Sequence, residues 1–214
     1  MMRYFLDMNL PIYFCMQIGN PLEEKTKLFI KNKGNNSYLL CDYIVKKNIP
    51  KWLSRQQVIL FEFNQKVKNK GYLLFSTEQS KILLSKDKIL IERLILNYDK
   101  SKDKTKFIEA VNEIFNLLPA RINYFIKVYI DEIVIPELEI DFKLKSCLFT
   151  WLNPNDSDAN TIASAIQENN KKELKIMTAD KKDWKKELLE EIHEDLFLKK
   201  EYPKLPKIEY LQDL

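Results

Sequence analysis

Three aspartates stand where an acid can do chemistry. Asp7 follows the short apolar run Arg3-Tyr4-Phe5-Leu6, Asp180 follows the run Leu174–Thr178, and Asp158 opens the segment 159–170. The two apolar runs read as buried strands. The third segment, with Ile162, Ala165 and Ile166 at helical spacing, reads as a helix. In an open parallel sheet, sites form in the crevice at the carboxyl ends of the strands. Asp7 and Asp180 would share that crevice if their strands are neighbours. Asp158 would join them if its helix starts on the same side. Clustered carboxylates repel, by about 4 kcal/mol for charges ~4 Å apart at an effective dielectric of about 20. Such a cluster is either partly protonated or neutralised by a cation, and oxygen-only ligands favour Mg²⁺ or Mn²⁺ over zinc. An ion of that kind polarises a phosphoryl group and generates hydroxide from bound water. Each acid also has a plainer reading. Asp158 can be a helix N-terminal acid stabilised by the dipole, and Asp180 a turn residue or a cap for the next helix. Spacing alone leaves both readings open.

Composition narrows the alternatives. The 214 residues carry 35 Lys+Arg against 31 Asp+Glu, a net +4. The glycines are Gly19, Gly34 and Gly71, too few and too scattered for a phosphate-binding loop or a dinucleotide fingerprint. His193 is the one histidine, which excludes paired-histidine zinc motifs and weakens a Ser-His-Asp or Cys-His reading. Its charged surroundings predict a solvated helix residue. Cys15, Cys41 and Cys147 are far apart, lie among apolar neighbours and read as reduced packing residues. No run approaches the ~18 apolar residues of a membrane span. Asp7 interrupts any signal-peptide core. The expectation is a soluble, cytoplasmic chain without a membrane partner.

The basic residues are almost all lysines, since Arg3, Arg55, Arg93 and Arg121 are the only arginines. Lysine meets phosphate as a point charge without a bidentate fork, so contacts to a polyanion would position it rather than read bases. Two lysine runs stand out: Lys66, Lys68, Lys70, and Lys100, Lys102, Lys104, Lys106. They are either solvated faces or contacts along a nucleic-acid strand. Lys181 and Lys182 flank Asp180 and are either phosphate contacts or a charged turn.

Positioning the aspartates requires the following elements. Residues 3–6 form a strand, 10–18 begin a helix with Pro11 in its first turn, and Pro21 opens a polar helix to about Lys31. Residues 37–70 read as two helical pieces divided near Pro50, and Tyr72–Phe75 as a second strand. Ser76 would cap a helix to about Leu96, 97–106 would be a loop, and 107–118 a helix. Strands are predicted over 124–130, 133–135 and 137–142, with Pro136 marking an edge or irregular connection. Residues 151–155 read as a turn, 174–178 as a strand, and a charged helix extends to about Leu198. The tail 201–214 reads as extended. Alternating strands and helices predict an α/β fold, a three-layer α/β/α sandwich with a central, mostly parallel sheet.

The stretches Asp158-Ala159-Asn160-Thr161-Ile162-Ala163-Ser164-Ala165 and Ile176-Met177-Thr178-Ala179-Asp180-Lys181-Lys182-Asp183-Trp184 resemble the C-terminal half of a PIN domain. Arg3-Tyr4-Phe5-Leu6-Asp7-Met8-Asn9 resembles the strand that ends in aspartate near that family's N-terminus. The resemblance covers about residues 1–14 and 150–190. It implies one PIN-like nuclease domain over 1–200, with helical insertions around 37–145. It implies a metal-dependent nuclease, related in fold to flap endonucleases, acting on RNA before DNA. Asp7, Asp158 and Asp180 would be the acids that hold Mg²⁺ or Mn²⁺, Thr178 the hydroxyl beside the last acid, and Asp183 a second acid of that turn. The family has a further acid in the helix after the second strand; here the sequence departs from that pattern, with Glu78, earlier in its helix, preferred over Glu62 and Glu92. The family also implies a toxin-like, defence or RNA-processing role, with an antitoxin, another protein or a second copy of the chain as partner. The competing expectation is a catalytically weak or inactive PIN-like binding or scaffold module.

Overall fold

The computed structural model describes residues 2–151, 156–182 and 184–214. Its chain divides into two units, residues 1–49 with 122–214, and residues 50–121.

Short apolar segments build the sheet of the first unit. The strands are β1 (Arg3–Leu6), β2 (Ser37–Cys41), β3 (Glu132–Val134), β4 (Lys175–Thr178) and β5 (Lys207–Tyr210). All pairings are parallel, in the order β3-β2-β1-β4-β5. Parallel strands need crossovers, and helices supply them. These are α1 (Asn9–Cys15), α2 (Pro21–Lys31), α3 (Ile49–Lys68), α4 (Ser85–Lys100), α5 (Lys104–Asn116), α6 (Leu118–Tyr129), α7 (Phe142–Trp151), α8 (Asp156–Lys171), α9 (Lys186–Ile192) and α10 (Leu196–Glu201).

Alternation along β1 shows that helices cover both faces. Tyr4 packs on Phe29 of α2, with ring centroids 5.3 Å apart, and its register partner Tyr38 donates its hydroxyl to the Phe29 carbonyl. Arg3, one residue earlier and so on the opposite face, donates to Glu168 of α8 at 2.6 Å. The result is an α/β/α arrangement. No described helix is long and apolar enough to cross a membrane.

The second unit is helical and has its own core. Phe63 of α3, Tyr98 of α4 and Phe107 of α5 meet with centroids 6.2–6.3 Å apart. Glu62 is fully buried, and its carboxylate accepts from Tyr72 Oη, the Phe75 amide and Thr77 Oγ1.

Several expected elements differ from those observed. Residues 37–41 are strand, not helix. The run Tyr38-Leu39-Leu40-Cys41 is buried throughout and paired on both sides, a pattern that periodicity cannot separate from a buried helix. Residues 72–75 are not a strand. Phe75 adopts φ 64°, a left-handed conformation, and its amide is taken by Glu62 rather than by a ladder. The Ser76 helix is replaced by a 3-10 turn at Gln79–Ile82 and by α4, which extends into the expected loop as far as Lys100, with α5 starting at Lys104. Residues 124–129 belong to α6, whose Leu118, Ile122 and Phe125 are buried at helical spacing despite the aromatic and β-branched content. Residues 137–139 form a 3-10 turn rather than a strand. The charged helix is two, α9 and α10, because Asp195 caps the second through the Phe197 and Leu198 amides. Within the span 37–145 expected as helical insertions, β2 and β3 are strands of the sheet, and residues 50–121 form the second unit. The tail is not merely extended: residues 207–210 complete the sheet as β5, paired to β4. The turn at 152–155 lies outside the described residues.

Arg3 anchors the amino end of β1. Its guanidinium, 6% exposed, bonds Glu168 of α8, Glu132 of β3 and the Lys172 carbonyl. Removing one partner of a buried pair strands the other charge. Arg3→Met should lower the unfolding free energy by about 3 kcal/mol in urea titrations. A loss below about 0.5 kcal/mol would show that the pair does not hold the layers together.

Candidate active site at the sheet switch point

The strand order reverses direction between β1 and β4. From β1 the chain steps outward to β2 and β3, then returns to β4 and β5 on the other side. Connections on the two sides therefore diverge to opposite faces and open a crevice at the carboxyl ends of β1 and β4. Asp7 and Asp180 lie just beyond those ends, as the sequence led us to expect if the strands were neighbours.

The arrangement is fixed by a short relay. The Asp7 amide donates to the Met177 carbonyl, which continues the β1–β4 ladder one residue past the strand. Thr178 Oγ1 donates to Asp7 Oδ2 at 2.8 Å and accepts the Asp180 amide at 2.9 Å. Asp7 Oδ1 accepts the Met8 amide at 2.6 Å, and Asn9 Nδ2 donates to Oδ2 at 3.0 Å. Asp180 Oδ1 accepts the Lys182 amide at 2.8 Å, which curls the turn. The C-terminal tail braces the same turn. Gln212 donates to the Ala179 carbonyl, and Lys181 pairs with Asp213 at 2.6 Å.

Asp158 sits in the first turn of α8, half-buried. Two contacts orient α8 against the strands. Glu168 meets Arg3 at the amino end of β1, and Ser164 hydrogen-bonds the Cys41 thiol at the carboxyl end of β2. Asp158 is ten residues before Glu168, about 15 Å along a helix. Asp7 is four residues beyond Arg3, about 13 Å along a strand. Antiparallel to β1, α8 thus points its amino end, with Asp158, toward the side of the sheet where the strands end. Even so, among the described residues no group of three or more His, Cys, Asp or Glu side chains is arranged to hold a metal ion. Asp183 lies outside the described residues.

Burial sets the electrostatics. Asp7 is 5% exposed, and desolvation raises its carboxyl from the ordinary 3.8 to about 6. The Thr178 and Met8 hydrogen bonds oppose the rise and the nearby Asp180 charge adds to it. Tyr13 of α1 feels the same field. Burial first, then the charges of Asp180 and Asp7, hold its hydroxyl above the usual range. Burial also pushes the Cys41 thiol up to about 12, which leaves it an inert packing group, as expected.

The candidates for a further carboxylate all fall in the second unit. Glu78 is exposed and pairs with Lys81 at 2.6 Å, Glu62 is consumed by its three donors, and Glu92 is exposed on α4. Two residues of the first unit escaped the sequence reading. Tyr13 carries no motif that marks it. Asp42 does: Tyr38-Leu39-Leu40-Cys41-Asp42 repeats the apolar-run-then-acid pattern of Arg3–Asp7. It is 8% exposed, accepts the Glu137 amide at 3.2 Å and pairs with Lys46 at 2.9 Å. Those bonds tie it to the connection after β3. His193 is half-buried rather than solvated, with Nε2 2.7 Å from the Tyr202 carbonyl.

No family model, curated protein or solved structure matches the chain.

The raised Asp7 carboxyl has a measurable signature. The folded state keeps this proton to higher pH than the unfolded chain does. Its contribution to stability is complete below about pH 3.8 and lost as pH rises through about 6. Asp7→Asn cannot ionise and should gain about 1–3 kcal/mol over the wild type between pH 4 and pH 8. Urea unfolding of both proteins in EDTA reads this difference, and a gap independent of pH would refute it.

Proposed function

We propose that this chain is a divalent-metal-dependent endonuclease of PIN-like fold that hydrolyses phosphodiester bonds, in RNA before DNA. One observation carries the reading: the carboxylate of Asp7, buried at the switch point of an all-parallel sheet, is bridged by the Thr178 hydroxyl to the backbone amide of a second acid, Asp180. The donor set suits a hard cation. Asp7, Asp180 and Asp158 would hold it, all through oxygen, the chemistry that Mg²⁺ and Mn²⁺ prefer. When bound, such an ion supplies Lewis-acid polarisation of a phosphoryl group and a water of lowered pKa.

The chain's own residues prepare the site. Thr178 orients the Asp7 carboxylate and holds the Asp180 backbone, and the Lys182 amide orients the Asp180 carboxylate. The Met8 and Asn9 donors stabilise Asp7 as the anion that a cation needs. Gln212 and Asp213 hold the Asp180 turn from the tail side. The second reading, a binding or scaffold module without catalysis, draws on the absence of a three-carboxylate grouping among the described residues.

Cleavage of fluorescent single-stranded RNA and DNA in Mg²⁺, Mn²⁺ or EDTA separates the two. Metal-dependent cutting, RNA over DNA, should fall by about 100-fold or more in Asp158→Asn and in Asp180→Asn. Glu78→Gln asks in the same assay whether that carboxylate belongs to the site. Cutting that persists in both Asp variants would end the nuclease reading. A wild type that cuts neither strand would favour the scaffold.

A further inference from the structure

The net charge of +4 is divided unequally along the fold. Residues 50–121 hold 14 Lys+Arg against 8 Asp+Glu, a net +6, while the rest of the chain holds 21 against 23, a net −2. The positive charge therefore belongs to the inserted helical unit, and the tertiary structure concentrates it further. Arg55 of α3 pairs with Asp87 in the first turn of α4 at 3.1 Å, and Phe63 of α3 meets Tyr98 near the end of α4. Two contacts in the same order along both helices mean that α3 and α4 run the same way. Their carboxyl ends lie at one end of the unit. Phe107 joins Phe63 and Tyr98, so α5 starts from that end too.

Both lysine runs are gathered there. Lys66 and Lys68 close α3 and Lys70 follows it, with Lys66 donating to the Lys70 and Tyr72 carbonyls, and Lys100 to Lys106 span the end of α4 and the start of α5. Only Asp99 and Asp103 interrupt the seven lysines, and Asp103 is engaged as the α5 cap through the Lys106 amide. Runs 30 residues apart in sequence thus form one cationic surface, with Lys104 over the Tyr98 ring at 5.0 Å.

We infer that this end of the second unit binds the phosphate backbone of a single-stranded nucleic acid, an inference that rests on the nuclease reading for its choice of polyanion. No arginine stands in the patch, so its contacts are point charges that hold phosphates without reading bases. Binding is sequence-tolerant and strongly salt-dependent, because each neutralised phosphate releases a counterion.

The test uses the full chain in EDTA, where no metal-dependent cutting occurs, with a fluorescein-labelled 20-nucleotide oligo(U) followed by anisotropy. The patch variant Lys68→Gln/Lys70→Gln/Lys100→Gln/Lys102→Gln changes four exposed side chains. The control, Lys31→Gln/Lys172→Gln/Lys204→Gln/Lys207→Gln, removes the same charge from exposed positions of the first unit. Thermal melts establish that both variants are folded. The patch variant should bind at least tenfold more weakly, and the slope of log K against log salt should flatten by about 3, near 0.7 per lost contact. The control should stay within about twofold of the wild type. Equal losses in the two variants, or no wild-type binding, would overturn the inference. So would retention on phosphatidylserine vesicles that excess oligo(U) does not displace, which would assign the patch to a membrane surface. A chain that binds in EDTA but never cuts removes the nuclease reading alone. One that cuts while the patch variant binds unchanged removes this inference alone.

Discussion

A carboxylate buried at the end of the central strand is the constraint around which the first unit is organised. Asp7 loses most of its hydration on folding, and the Thr178 hydroxyl, the Met8 amide and the Asn9 amide replace only part of it. The deficit appears as a carboxyl raised to about 6. Natural cores seldom keep such a group without partners that use it. The neighbouring Asp180 makes the deficit larger, and the divalent cation proposed for this site would offset it.

Holding that carboxylate requires rigid strands on both sides, and the opposite end of β1 provides the anchor. Arg3 ties β1, β3 and α8 together through three acceptors while Tyr4 packs on α2 from the other face. Four residues of strand thus carry the anchor at one end and the site at the other. The same helix α8 that receives Arg3 near its carboxyl end carries Asp158 in its first turn.

The second unit follows a different logic. Its stability comes from helix packing around Phe63, Tyr98 and Phe107 and from Glu62, which satisfies a loop that would otherwise carry open backbone groups. Its surface carries the chain's positive charge. The net charge thus differs in sign between the two units, −2 in the first and +6 in the second.

The sequence by itself determined the acids and the strands that end in them. Asp7 and Asp180 each follow a buried apolar run of four or five residues, too short for a helix and bounded by charge. The helix behind Asp158 was equally legible from its 3.6-residue period. Other segments were ambiguous for a stated reason. Residues 37–41 are buried on both faces and have no period, while 124–129 are aromatic-rich yet helical because Ile122 and Phe125 must face one core. Only the tertiary structure decided the strand order, which places β1 beside β4 and so Asp7 beside Thr178 and Asp180. It also decided that residues 207–210 pair with β4, and that two distant lysine runs share one end of a helical unit. Pairing and packing are long-range choices, set by which surfaces exclude water together, and no local spacing encodes them.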